Sequence, residues 1–151
     1  MDRQGYRNTW VISSAISIRN NWNVVLPNYD VSYVFVERLR DLDRIKPGNF
    51  VLMTFNALCK YHRQIKKWLK IHSRKTCLVL DESDEICNPY GSRAKAVLSC
   101  FRRCQSKLLT TGTSTRNNIS EFAPQMELLY NNSINMLSCC HTIYHLSLIH
   151  I

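Results

Sequence analysis

Two hydrophobic patterns alternate along the chain. Short apolar runs rich in β-branched or aromatic residues are typical of strands. These runs are residues 9–12, 31–36, 50–55, 77–81 and 107–111. Apolar residues at intervals of three or four predict amphipathic helices over 16–26, 37–46, 58–72, 94–104 and 119–130. Strands that alternate with helices predict an α/β fold, here a three-layer α/β/α sandwich with a mostly parallel sheet.

One strand ends in a cluster of acidic residues. Leu78-Val79-Leu80 predicts a strand buried on both faces, and Asp81-Glu82-Ser83-Asp84-Glu85 follows it, with four of the chain's 11 acidic residues. Carboxylates at the carboxyl end of such a strand lie where α/β proteins bind ligands. One could hold hydrated Mg²⁺ while the next polarises a water, as nucleoside triphosphate hydrolysis requires. A solvated acidic loop is the alternative interpretation.

The charge balance favours an anionic partner. The 20 Lys and Arg outnumber the 11 Asp and Glu, for a net charge of +9, and nucleic acid is the usual partner of such a protein. No acidic residue occurs between Asp43 and Asp81. The helix predicted in that interval carries Lys66, Lys67 and Lys70 away from its apolar face. These lysines either contact a phosphate backbone or form an ordinary solvated helix face.

Cysteine usage predicts a cytoplasmic protein, nucleoid-associated in a bacterial or phage setting. The seven cysteines are odd in number and scattered through predicted core elements, which is typical of reduced, buried thiols. Neither Cys100 and Cys104 nor Cys139-Cys140-His141 with His145 forms a Cys-x-x-Cys knuckle, so no zinc site is expected. Without an apolar run of about 18 residues, no membrane partner is expected either.

Four predicted strands end in small or polar residues. They lie in the segments 9–14 (with Asn21-Trp22 beyond), 51–58, 78–85 and 108–113 (with Asn117-Asn118 beyond). In this order the four segments resemble motif Ia, motif Ib, motif II (the D-E-x-D/H box) and motif III of the Swi/Snf-type helicase-like ATPases of helicase superfamily two. The resemblance covers about residues 9 to 130. It departs from the family at Ser14 and Ser114, where the family has proline.

The resemblance implies a role for each matching residue. Asp81 would position Mg²⁺ through a water, and Glu82 would activate the attacking water. Asp84 would bond to Thr111 or Thr113, on either side of Gly112, and so link nucleotide state to the grip on DNA. Ser14 and Thr54 would face the DNA backbone. The implied cofactors are ATP and Mg²⁺, and the implied partners are double-stranded DNA and a second RecA-like lobe.

The chain lacks other parts of such a motor. A P-loop has the pattern G-x-x-x-x-G-K-[ST], and none of the glycines at 5, 48, 91 and 112 precedes a lysine. The resemblance therefore predicts a partial RecA-like lobe over residues 1–133, without a P-loop strand and inactive as an ATPase by itself. The tail 134–151 is expected to be irregular, and 147–151 to be non-native sequence.

A consequence for stability follows from the missing P-loop. The resemblance suggests that the absent strand lies beside the strand of the acidic box. Leu78, Val79 and Leu80 would then border a gap, and the isolated domain would be molten or prone to aggregate.

Two other functions compete with the motor. In one, the chain is a non-enzymatic α/β nucleic-acid-binding module whose basic helix makes the contacts. In the other, Asp81, Glu82 and Asp84 hold paired metal ions in a nuclease. The nuclease hypothesis leaves Thr111-Gly112-Thr113 unexplained.

Overall fold

The chain forms one five-stranded parallel sheet. The computed structural model describes residues 8–72, 76–104, 106–113 and 119–130. The strands are β1 (Asn8–Ser13), β2 (Tyr33–Phe35), β3 (Phe50–Thr54), β4 (Thr76–Asp81) and β5 (Ser106–Thr110). Their order is β2-β3-β1-β4-β5, and all four neighbouring pairs are parallel. The predicted α/β class and parallel sheet are confirmed.

Helices connect the strands as the hydrophobic spacing predicts. A helical run after β1 comprises α1 (Ala15–Ser17), a π-helical turn (Ile18–Trp22), α2 (Asn23–Val25) and a 3₁₀ turn (Leu26–Tyr29). The longer helices are α3 (Phe55–His72), α4 (Ser92–Phe101) and α5 (Ala123–Leu129). Shorter 3₁₀ helices span Leu39–Arg44, Ser83–Ile86 and Ile119–Phe122. The helix predicted over 37–46 is thus a 3₁₀ helix, because apolar residues exactly three apart match three residues per turn.

The core lies on both faces of the sheet. On the larger side, Trp10 is fully buried, with its ring 5.5 Å from that of Trp68 on α3 and 5.7 Å from that of Phe101 on α4. On the other side, Val11 and Leu52 pack against Ile18 of the helical run. The three layers follow from these two apolar faces.

The gap expected beside the acidic-box strand is not there, and that prediction is wrong. β4 pairs with β1 on one side and with β5 on the other. Leu78, Leu80 and the backbone of Asp81 therefore have neighbours within the sheet, and Leu78 and Leu80 are fully buried. Among the described residues the edge strand on this side is β5, one strand further out.

The two faces of β4 are covered unequally. Leu78 and Leu80 point to the buried face, whereas Cys77, Val79 and Asp81 are only half-buried on the other. In register beside Val79, Leu108 of β5 has 55% of its surface exposed. The prediction of a strand buried on both faces is thus correct for one face only, because the helical run packs on β1 and β3 rather than on β5.

Several predicted features lie outside the described residues. They are the tail 134–151, the Cys139-Cys140-His141 cluster with His145, Ser114, and Asn117-Asn118. Within the described ranges, no helix is both long and apolar enough to span a membrane.

Candidate functional site

The carboxylate of Asp81 is the centre of a hydrogen-bond cluster at the carboxyl edge of the sheet. Between them, its two oxygens accept bonds from β1, the helical run and β5. Oδ2 accepts from Ser13 Oγ (3.0 Å), Ser17 Oγ (2.9 Å) and Trp22 Nε1 (3.0 Å), and Oδ1 accepts from Thr110 Oγ1 (2.9 Å) and the Glu82 amide (3.1 Å). The register of the strands brings these groups together, since Thr110 lies directly beside Asp81.

The cluster controls the ionisation of Asp81. Partial burial acts to raise the pKa of this carboxyl, and the hydrogen bonds from Trp22, Ser17, Thr110 and Ser13 outweigh it, so the pKa lies below the usual value. The ionised form is therefore the one that the folded protein stabilises. Asp81 holds three segments of the chain together at this edge.

The cluster also tests whether Mg²⁺ fits at Asp81. A carboxylate offers about four lone-pair sites, and Asp81 already accepts five protein hydrogen bonds. No lone pair is left for a metal-bound water. In this arrangement the residues around Asp81 do not fit a magnesium ion.

Glu82 differs from Asp81 in both backbone and side chain. Its φ of 56° and ψ of 50° are left-handed, a conformation that costs a non-glycine residue about 1–2 kcal/mol. Within the described ranges, its half-buried carboxylate makes no hydrogen bond or ion pair. A strained backbone that presents an unpaired carboxylate is the arrangement expected of a reactive group.

The acidic box contacts the Thr-Gly-Thr segment as the sequence predicts. Thr111 Oγ1 donates to Asp84 Oδ1 at 2.9 Å, and the same hydroxyl accepts from the Thr113 amide at 3.1 Å. Thr113 has no side-chain bond to Asp84 in the described contacts, and Gly112 is exposed between the two threonines. On the inner side, Ser83 Oγ donates to Gln125 Oε1 of α5 at 2.8 Å. The box is therefore fixed to α5 and to the segment that directly follows β5.

Ser14 and Thr54 lie at neighbouring strand ends. Ser14 Oγ accepts from the Ser17 amide and Thr54 Oγ1 from the Ala57 amide, each at 3.2 Å, so each hydroxyl caps the helix that follows its strand. Both line a cavity of about 80 Å³ at this edge, which we call the strand-end cavity. The structure thus brings together the two residues expected to face the DNA backbone.

The three lysines lie elsewhere. α3 begins at the carboxyl end of β3 and, at about 1.5 Å per residue, carries Lys70 about 22 Å away toward the amino end of β4. Lys66 and Lys70 line a cleft of about 370 Å³ between α3 and α4, together with Arg102 and Arg103. Lys67 is exposed on α3 but does not line this cleft.

The α3/α4 cleft is electrostatically positive. Arg102 forms an ion pair of 2.9 Å with the buried Glu127 of α5. Among the described contacts, Lys66, Lys70 and Arg103 have no acidic partner. The cleft therefore forms a basic surface that is separate from the strand-end cavity.

Four donors of the Asp81 cluster have no role predicted from the sequence. They are Ser13, Ser17, Trp22 (the tryptophan of the Asn-Trp pair) and Thr110. Thr110 could have been found from its position beside Thr111 at the end of a strand. Nothing in the sequence indicates that Trp22 and Asp81, 59 positions apart, lie in contact.

The buried thiols do not form a candidate site. Burial raises the pKa of Cys100 to about 12 and that of Cys104 to about 11, so both remain protonated at neutral pH. These values are typical of structural cysteines.

Comparison with known proteins identifies the fold. No protein-family model and no curated protein matches the chain. Among solved structures, the chain is similar to the SWI2/SNF2 ATPase core of Sulfolobus solfataricus in complex with double-stranded DNA, with a TM-score of 0.72 and 16% identity. The chain has the fold of a RecA-like lobe. The match covers 99% of this chain and 33% of the solved one, so the chain spans about a third of that core.

Proposed function

We propose that the chain is most of the first RecA-like lobe of a DNA-dependent ATPase of the SWI2/SNF2 type, and that the complete protein translocates on double-stranded DNA. The observation that carries the proposal is that the segments similar to motifs Ia, Ib, II and III all end at the same edge of the sheet. There the Asp84–Thr111 bond joins the acidic box to the Thr-Gly-Thr segment. The fold likeness to a core bound to double-stranded DNA supports the same function.

The roles proposed for the site residues follow from their positions. Glu82 is the residue proposed to orient a water, because its carboxylate has no protein partner among the described contacts. Asp84, Thr111, Gly112 and Thr113 form the proposed coupling segment. ATP and Mg²⁺ are proposed for the complete protein only, because the P-loop pattern that would hold the phosphates is missing from this sequence. A second RecA-like lobe completes the proposed motor.

The chain alone is expected to lack ATPase activity. Purified protein with ATP, Mg²⁺ and double-stranded DNA should release phosphate no faster than its Glu82→Gln variant. The reason is that the pattern of a phosphate-cradling loop is missing from the sequence. DNA-stimulated phosphate release that disappears in Glu82→Gln would contradict the proposal that this chain is an inactive part of a motor.

DNA binding through the lysines of α3 is expected to depend on salt. The logarithm of the binding constant should fall linearly with the logarithm of salt concentration, and each lost phosphate contact should flatten the slope by about 0.9. Replacing Lys66, Lys67 and Lys70 by Ala should therefore flatten the slope measured by fluorescence anisotropy. Replacing the exposed Arg40, Arg44 and Lys46 by Ala removes the same charge elsewhere and serves as the control. Equal slopes for both triple variants would indicate that the α3 lysines are only a solvated face.

A non-enzymatic nucleic-acid-binding module is the second candidate. The occupied carboxylate of Asp81 and the basic α3/α4 cleft favour it. The nuclease hypothesis from the sequence is not proposed, because neither of the two candidates requires metal-dependent cleavage. Hydroxyls bonded to Asp81 and Asp84 also count against paired metal ions there.

A cytoplasmic location is proposed for both candidates, with association with the nucleoid if the protein comes from a bacterium or a phage. Nucleic acid as the partner and reduced structural thiols are both consistent with that compartment.

A further inference from the structure

An ion pair joins the acidic box to α4 beside the strand-end cavity. Glu85 lies in the 3₁₀ turn Ser83–Ile86, and Arg93 lies in the first turn of α4. The guanidinium carbon of Arg93 is 5.7 Å from the centroid of the Phe55 ring. The side chains of Arg93 and Glu85 are 40% and 28% exposed, so solvent and solutes reach the pair.

The strand-end cavity offers hydrogen-bond donors. Ser14, Thr54 and Asn56 line it beside Arg93 and Glu85. The hydroxyl oxygens of Ser14 and Thr54 accept bonds from backbone amides, and within the described contacts neither hydroxyl donates one. Each can therefore donate its proton to a ligand in the cavity.

The size and chemistry of the cavity select the ligand. At about 30 Å³ per water, a volume of about 80 Å³ holds two to three waters, which is enough space for one phosphate group. Hydroxyl, amide and guanidinium donors are all suited to phosphate oxygens. The Glu85 carboxylate opposes an anion, and it also neutralises Arg93 while the two are paired.

We infer that Arg93 is a phosphate-binding residue and that Glu85 competes with the phosphate for its guanidinium. The inference rests on the proposed function and specifies it further, since the phosphate would belong to the nucleic-acid backbone. A phosphate in the cavity replaces Glu85 as the partner of the Arg93 guanidinium, and the Glu85 side chain turns to solvent. The carboxylate of Glu85 thus regulates access to the site.

The exchange also reaches the acidic box. The Glu85 amide donates to the Glu82 carbonyl at 3.0 Å, and Asp84 lies between them in the same turn. Release of the Glu85 side chain therefore removes one tie between α4 and the turn that begins directly after Glu82. Nucleic-acid binding at the strand ends is connected in this way to the residue proposed to orient water.

The experiment measures binding of a fluorescent double-stranded oligonucleotide to the full chain. Glu85→Gln keeps the size of the side chain but frees Arg93, so it should tighten binding by up to about fivefold and steepen the salt slope by about 0.9. Arg93→Ala should weaken binding, and the Glu85→Gln/Arg93→Ala double variant should bind no more tightly than Arg93→Ala alone. Arg93→Lys keeps the positive charge but lacks the planar guanidinium, which can donate two parallel hydrogen bonds to a phosphate. It should respond less to Glu85→Gln, and it replaces Arg93→Ala if that variant does not fold.

Glu37→Gln is the matched control. Glu37 pairs with Arg19 at 3.7 Å in another exposed ion pair that does not line the cavity, and its substitution changes the net charge equally. Equal tightening by Glu37→Gln and Glu85→Gln would overturn the inference, because it would show a general charge effect. Unchanged affinity of Glu85→Gln, with wild-type protein binding DNA, would overturn the inference and leave the proposed function standing. No binding by either protein would overturn both.

Discussion

Replacing Asp81 by Ala is expected to lower the free energy of unfolding by about 2–4 kcal/mol. The substitution removes one carboxylate and leaves the hydroxyls of Ser13 and Ser17, both buried, and the indole of Trp22 without their acceptor. A buried donor left without a partner costs about 1–3 kcal/mol, and water can reach Thr110 but not Ser13. Urea denaturation followed by circular dichroism and by tryptophan fluorescence measures the change.

Asp43→Ala is the control for this prediction. Asp43 is an exposed aspartate with no hydrogen bond or ion pair among the described residues, so its removal should change stability by less than about 0.5 kcal/mol. Similar unfolding midpoints for the two variants would contradict the role of Asp81 as the organiser of this edge.

The effect of Asp81→Ala should also depend on pH. The pKa of Asp81 in the folded protein lies below the value of about 3.9 for an unfolded aspartate, so the folded state binds fewer protons in this range. The stabilisation is complete above the unfolded pKa and is lost as pH falls through the lower, folded pKa. The difference between wild-type protein and Asp81→Ala should therefore be constant above about pH 5 and shrink below about pH 4.

The local elements were predictable because they depend on nearby residues. Apolar runs and three- or four-residue spacing identify all five strands and the helices α3 and α4 within a few positions. The bond between Asp84 and Thr111 was also predictable, since it follows from the resemblance in the order of the motifs. Both kinds of information are carried by the sequence itself.

The strand order was not predictable from those patterns. Hydrophobic periodicity indicates that a strand is buried but not which strands are its neighbours, and the position of β5 beside β4 depends on contacts between distant segments. The same limit applies to Trp22, whose hydrogen bond to Asp81 depends on the π-helical turn that it ends. The left-handed backbone of Glu82 is a third example, because nothing in an Asp-Glu-Ser segment requires a positive φ.

The corrected strand order changes the expected behaviour in solution. A gap beside β4 would expose Leu78 and Leu80, whereas the structure buries both and has β5 at the edge among the described residues. The expected consequence is therefore cooperative unfolding together with association through β5. Edge strands with exposed apolar residues readily pair with another chain.

The residues of β5 do little to prevent this edge from pairing with another chain. Lys107 is the one charged residue in the strand, and its ammonium donates to the Arg102 carbonyl at 3.0 Å. Burial lowers the pKa of Lys107, in keeping with a side chain turned partly inward. Leu108 remains 55% exposed on the side of the sheet where the helical run packs, because the run lies over β1 and β3 and does not extend over β5.

Leu108→Lys is therefore expected to convert an associating protein into a monomer. A lysine on an edge strand opposes pairing between chains through charge repulsion and the hydration of its ammonium group. Size-exclusion chromatography with light scattering, over a range of protein concentrations, should show wild-type mass rising with concentration and a constant monomer mass for the variant. Leu129→Lys, at a leucine 40% exposed on α5, makes the same substitution away from the edge and should associate like wild-type protein. Wild-type protein that stays monomeric at every concentration, with a single sharp unfolding transition, would show that the β5 edge does not pair between chains.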